Sequence, residues 1–197
     1  MIQIAIFASG AGSNAQQIIQ HFKFHRLIKI ALVVCNKPGA GVITIAATEG
    51  IPVQMIEKER FLQGDAYTTE FLAHHIDFIV LAGFLWKIPS RLIAAFPNKI
   101  INIHPALLPE YGGKGMYGHF VHEAVIAAGE KESGISIHYV DEWYDHGNII
   151  FQAKCAIEEN ETASSLANKI HALEHENYPA VIEKTVANCK IVVKREG

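Results

Sequence analysis

Nowhere in the 197 residues does an apolar run reach the roughly 20 residues that a membrane-spanning helix needs. The opening Met1-Ile2-Gln3-Ile4 lacks the basic stretch and apolar core of a signal peptide and reads as a first strand, so a cytoplasmic protein is expected. Cysteine is scarce. Cys35, Cys155 and Cys189 have no metal-ligand or redox spacing, and their odd number argues against a disulfide framework; all three are expected to be reduced and structural. Clustered positive charge is absent as well. Lysine and arginine total 17 against 20 acidic residues and are scattered, apart from Lys194-Arg195. A net charge of −3 then argues against nucleic acid or an anionic membrane as partner. No repeat, low-complexity tract or linker divides the chain. With 50% hydrophobic residues it can build one good-sized core, and a single domain over 1–197 is expected.

Familiar catalytic signatures are also missing. There is no Gly-x-Ser-x-Gly elbow and no recognisable Cys-His spacing, so covalent catalysis has no obvious nucleophile. The first turn, Ser9-Gly10-Ala11-Gly12-Ser13-Asn14, is neither a Walker loop nor a full dinucleotide fingerprint, because Gly-Lys-Ser/Thr and the third glycine are absent. It does sit between a β-type run at 2–8 and a helix-like pattern carrying Ile18, Ile19 and Phe22. Gly10 and Gly12 permit tight backbone geometry, and Ser13 and Asn14 are expected to cap the helix. Such a turn is either an ordinary βα connection or a phosphate cradle built from N–H groups and the helix dipole.

The rest of the first half keeps the same rhythm. Strands are expected at 28–35 and 52–56, helices at 42–49 and 61–75, and a near-continuous apolar strand at 76–82, buried on both faces. A helix at 91–96 leads to Ile100-Ile101-Asn102-Ile103-His104, which alternates in the strand period until Pro105 and Pro109 forbid further pairing. Asn102 and His104 therefore leave a strand end on one face, at the edge where open α/β sheets bind ligands. The rhythm predicts a doubly wound, Rossmann-like, mostly parallel sheet. Beyond Pro109 a glycine-rich segment at 111–118 reads as a mobile loop, followed by a helix at 119–128. Strands at 133–140 and 149–156 then suggest an antiparallel strand near the C-terminal part, before a long helix at 162–187 with a bend at Pro179.

Asp145-His146-Gly147 lies between those last strands, either as turn chemistry or as a carboxylate placed to orient a histidine. His138 alternates with core residues and is expected to be structural. His171 and His175 lie one helical turn apart but lack a third ligand, so a polar helix face is expected and no metal. An Asn, a His and an Asp at one sheet edge suit a polarised carbonyl with general acid/base help.

In their order along the chain, Ala8-Ser9-Gly10-Ala11-Gly12-Ser13-Asn14, Leu81-Ala82-Gly83-Phe84, Asn102-Ile103-His104-Pro105, Asp145-His146-Gly147 and Glu174-His175 carry a resemblance. The set resembles the folate-dependent formyltransferases, and among them the glycinamide ribonucleotide (GAR) transformylases of purine synthesis. The resemblance implies 10-formyltetrahydrofolate as donor, GAR as acceptor and no metal, with Asn102, His104 and Asp145 as the catalytic trio. It implies that Gly12, Ser13 and Asn14 hold the acceptor's phosphate, that Gly83 and Pro105 touch the acceptor, and that Glu174 holds its ribose hydroxyls. Leu85, Trp86, Lys87 and Ile88 would line the pterin slot together with Val140, Asp141 and Asp145, and Asn102 would touch the donor too. Phosphoribosyl binding would then fall mainly to residues 1–100, folate binding and catalysis to 100–197, in a monomer or homodimer.

The chain departs from that pattern in three places. Trp86 stands where relatives often carry Arg, Gln63-Gly64-Asp65 precedes Ala66-Tyr67 without the usual Arg, and the loop Gly112-Gly113-Lys114-Gly115 is longer than a common version. Among the sister activities, formyl transfer to methionyl-tRNA normally uses an additional tRNA-binding domain, and formyl-folate hydrolysis a regulatory one; transfer to GAR is expected ahead of both, with formyl-folate hydrolysis as the alternative among enzymes. A non-catalytic phosphoribosyl or folate-binding module is the alternative outside enzymes.

Overall fold

The computed structural model describes residues 1–63 and 65–193, with side chains as far as residue 188. Seven strands form one sheet: β1 (Ile2–Ala8), β2 (Ile28–Cys35), β3 (Val53–Met55), β4 (Phe78–Leu81), β5 (Ile100–His104), β6 (Glu132–Tyr139) and β7 (Ile149–Ala156). Their order is β3-β2-β1-β4-β5-β6-β7. Pairs from β3 to β5 are parallel, while β6 pairs antiparallel with both β5 and β7. β6 is thus the one reversed strand in the sheet, as the sequence suggested. Chain order runs outward from β1 to β3 and then resumes on the other side at β4. The carboxyl ends of β1 and β4 therefore mark a topological switch point, where the connecting loops diverge and leave a crevice.

Strand alternation divides the core. Ile4 and Ile6 face helices α1 (Ser13–Phe22), α2 (Gly41–Thr48), α6 (His119–Ala127) and α7 (Ala163–Val193). Ala5 and Phe7 face α3 (Lys58–Gln63), α4 (Ala66–Ala73) and α5 (Ser90–Ala95). All four residues of β4 are buried, which accounts for the apolar run there. On the second face Phe7 meets Phe71 and Phe84 edge-on, both at 5.3 Å between ring centroids. The fully buried Phe7 and Phe71 rings contribute about 1.5–3 kcal/mol each by burial alone.

Two expectations need correction. The helical pattern at 61–75 is two helices, α3 and α4; Gly64, the poorest helix former of the stretch after which α4 restarts, lies outside the described residues. Ser13 and Asn14 do not cap α1. They occupy its first turn, and Gly12, at φ 85°, is the cap residue, with no side-chain cap hydrogen bond. A Cβ on Gly12 would come within 2.8 Å of Val42, so both the conformation and the packing of α2 require glycine. Pro179 lies inside α7, as expected. Cys35 and Cys155 are free thiols, and the Cys189 side chain and Lys194-Arg195 lie outside the described residues. None of the helices among the described residues is long and apolar enough to cross a membrane.

α7 also fastens the sheet edge on which the cleft is built. Tyr178 is fully buried, and its hydroxyl donates to the Leu81 carbonyl at 2.9 Å, with the Ile101 carbonyl at 3.5 Å. It spans the carboxyl ends of β4 and β5. Burial raises the phenol well above its ordinary pKa, so it remains a donor. Tyr178→Phe would leave the Leu81 carbonyl buried without that donor; a loss of about 1–3 kcal/mol in urea unfolding is expected.

Candidate active site

The strand ends and their loops enclose a cleft of about 770 Å³. One end is polar. There the free first-turn amides of α1, left without a side-chain cap, face the cleft beside Asn14 and Glu174. Asn14 Nδ2 donates to Glu174 Oε2 at 2.9 Å. Its Oδ1 is buried and has no partner among the described residues. Glu174 is 6% exposed, and burial raises its carboxyl above the usual range against the opposing pull of Asn14 and His171. Gly83 and Pro105 line the cleft as well.

The other end is apolar and aromatic. It is built from Leu85, Trp86, Lys87 and Ile88 after β4 and from Val140 and Asp141 after β6. Trp86 is half-buried and packs on Phe61 and Phe84, with ring centroids 6.1 and 6.2 Å away. Lys87 Nζ lies 5.9 Å from the Trp143 ring, drawing the two loops together. Asp141 is used inside its own turn: its carboxylate accepts from Trp143 N at 2.8 Å and meets His146 Nδ1 at 2.7 Å. Ser9 links the two ends, because its N–H donates to Gly83 O at 3.1 Å and its hydroxyl accepts from Leu85 N at 3.0 Å.

Asn102, His104 and Asp145 meet between these ends. β5 delivers the first two, and the loop after β6 delivers Asp145, held at φ 52°. Asp145 Oδ2 stands 3.6 Å from His104 Nδ1 and accepts the Gly113 amide at 3.0 Å; Oδ1 is 3.4 Å from Asn102 Nδ2. Burial pushes the Asp145 carboxyl up, but His138, the His104 charge and the Gly113 amide outweigh it and hold the group below the usual range. For His104, 3% exposed, burial dominates and lowers the pKa despite Asp145 and the Tyr111 carbonyl, which raise it. His104 Nε2 lies 2.8 Å from Tyr111 O, and a carbonyl only accepts. In the neutral ring the proton is therefore on Nε2, and Nδ1 turns its lone pair to Asp145.

The sequence reading placed His138 among structural residues, and the structure corrects this. The register puts His138 directly opposite Asn102. Its Nδ1 donates to Tyr139 O at 2.8 Å, so in the neutral ring Nε2 accepts from Asn102 Nδ2 at 3.2 Å, and it stands 3.6 Å from Asp145 Oδ1. Alternation showed which face His138 occupies; only strand pairing shows what it faces. His171, assigned to a polar helix face, also lines the cleft, three residues before Glu174 on α7. His122 was missed altogether. It is 3% exposed on α6, lines the cleft, and its Nδ1 has no partner among the described residues. No group of metal-ligand type is formed by the described residues.

Burial, with the neighbouring His171, His104 and His119, depresses the His122 pKa to about 4. The folded state then binds this proton less readily than the unfolded chain. Its contribution is complete above the ordinary value and is lost as pH falls through 6.5 towards 4. Acidification across that window should cost about 2–3 kcal/mol of unfolding free energy through this residue. His122→Phe should flatten the dependence, as read from urea titrations at several pH values.

The family described as "Formyl transferase" matches residues 2–182. The chain is 39% identical over 186 residues to the chloroplastic phosphoribosylglycinamide formyltransferase of Arabidopsis thaliana, covering 91% of this chain and 64% of that protein. It spans the same 64% share of the Vigna unguiculata counterpart. It is 38% identical over 189 residues to phosphoribosylglycinamide formyltransferase of Bacillus subtilis, covering 93% of this chain and 94% of that one. The crystal structure of the Bacillus halodurans phosphoribosylglycinamide formyltransferase superposes with a TM-score of 0.85 at 37% identity, over 95% of this chain and 96% of the other. The seven-stranded sheet with its reversed β6 is thus a shared fold, and the chain is a member of the formyl transferase family.

Proposed function

We propose that the chain transfers the formyl group of 10-formyltetrahydrofolate to the amino group of glycinamide ribonucleotide, a step of purine synthesis. The observation that carries this reading is one cleft with two chemically different ends and an Asn–His–Asp junction between them. The N–H groups at the start of α1 suit a phosphate, with Gly12 giving close approach and Ser13 a hydroxyl. Glu174 is an acceptor for ribose hydroxyls. The slot of Leu85, Trp86, Ile88 and Val140 suits a flat heteroaromatic ring, and its loop backbones supply polar edges. Asp141, spent on its own turn, would act through its backbone.

In the reaction the acceptor amine adds to the formyl carbon, giving a tetrahedral oxyanion. Asn102 has one N–H on His138; its contact with Asp145, at 3.4 Å, is long enough to yield to the developing negative oxygen. Protonated His104 supplies a second donor, and Asp145 favours that charged ring. The amine loses a proton, the donor nitrogen gains one, and collapse releases formyl-GAR and tetrahydrofolate. Transfer is direct, so holding both reactants in one cleft supplies much of the rate. We place the protein in the cytoplasm, folded as one domain and acting as a monomer or homodimer on these two small molecules alone.

Absorbance would follow loss of the formyl group from 10-formyltetrahydrofolate with and without GAR. Loss that requires GAR is expected; loss without it would indicate a hydrolase, and no loss a binding module. Asp145→Asn should lower kcat about 10³-fold with both KM values nearly unchanged. Wild-type turnover in that variant would overturn the role given to Asp145.

A further inference from the structure

Tyr111 and Glu130 do not line the cleft, and no role above includes their side chains. Tyr111 has φ 54°, in the left-handed region that a bulky residue occupies only when its surroundings impose it. Its half-buried ring packs on the core, and its hydroxyl donates to Glu130 Oε1 at 2.7 Å, on the turn between α6 and β6. Glu130 pushes the phenol up to about 12, which keeps it a donor. In this posture the Tyr111 carbonyl meets His104 Nε2 at 2.8 Å. The two following residues continue the cradle. Gly112 has no room for a side chain, since a Cβ would lie 2.6 Å from Leu108 and 3.3 Å from Asp145, and Gly113 donates its amide to Asp145. Two backbone groups of this short stretch, the Tyr111 carbonyl and the Gly113 amide, therefore hold His104 and Asp145.

Resting on the function proposed above, we propose that the Tyr111–Glu130 hydrogen bond is a latch that positions His104, keeping the Tyr111 carbonyl where it fixes the ring proton on Nε2 and leaves Nδ1 facing Asp145. Both are positioning residues, acting through the backbone. If the latch opens, the carbonyl moves off, and the neutral ring is free to carry its proton on Nδ1 and bond Asp145 directly. The working nitrogen then changes. The carbonyl also stabilises the imidazolium. The other groups facing His104 are Asp145 from the loop after β6, His138 from β6 and His122 from α6. Of these only Asp145 favours the charged ring, so losing the carbonyl leaves less to hold the proton, and the His104 midpoint falls.

The test uses the intact chain with Tyr111→Phe, Glu130→Ala, the double variant, and Glu130→Gln, which keeps an acceptor. Each is read by kcat, both KM values, the thermal midpoint, and NMR titration of the His104 ring in the absence of substrate. Tyr111→Phe and Glu130→Ala are each expected to lower kcat about tenfold with KM unchanged. The double variant should lose no more than either single one, and Glu130→Gln should restore most of the rate. The His104 midpoint should move to lower pH in the first three. An unchanged kcat and midpoint in Tyr111→Phe would overturn the latch; so would losses that add in the double variant and track the thermal midpoint. If the wild type fails to transfer formyl to GAR, the function proposed above falls, while the substrate-free titration still decides the latch.

Discussion

A carboxylate that is 11% exposed on its side chain is costly to keep charged unless polar groups surround it, and Asp145 imposes that constraint on the site. Its two oxygens face His104, His138, Asn102 and the Gly113 amide, at 3.0 to 3.6 Å. Two of these groups come from β5 and one from β6, so the carboxylate depends on the register between those strands. β6 must run antiparallel, and Asn102 must pair with His138, for the imidazole and the amide to stand side by side. A slip of one residue would leave the two on opposite faces. Tyr178 secures the same edge from beneath, and the sheet behind it is buried on both faces.

The same edge explains how two unlike ligand environments come to adjoin. Loops after β1 and β4 part at the switch point, one entering α1 and the other entering the aromatic slot. Ser9 joins them with two hydrogen bonds, so neither end of the cleft is free to shift alone. Each end also draws on distant parts of the chain. Glu174 of α7 meets Asn14 of α1, and Lys87 meets Trp143. For a transfer between two bound molecules this matters more than tight binding of either, because the benefit lies in their relative placement.

Much of this was legible in the sequence for local reasons. The period of β5, its halt at Pro105 and the buried run of β4 are near-neighbour signals, and they located Asn102 and His104 correctly at a strand end. The doubly wound order and the reversed strand also followed from such signals. What escaped was set by pairing at long range. His138 looks like any core histidine until the register places it opposite Asn102, and nothing local shows that Asn14 pairs with Glu174, 160 residues away. The loop at 111–118 read as glycine-rich and loose; its first residues are pinned by His104 and Asp145, contacts that composition cannot show.

The protonation geometry adds a final constraint. Tyr111 O fixes the His104 proton on Nε2, and Tyr139 O fixes the His138 proton on Nδ1. With both rings neutral, the nitrogens turned to Asp145 are bare, each 3.6 Å from a carboxylate oxygen and beyond hydrogen-bond range. Lone pairs then face negative oxygens, and the cluster lacks one proton. A proton arriving on His104 Nδ1 would find Asp145 already in place, with little reorganisation needed. In the proposed reaction the attacking amine releases one proton and the leaving nitrogen takes one, so a site short of a single proton suits the transfer. Two backbone carbonyls, rather than the catalytic side chains themselves, set which ring nitrogens are left to receive it.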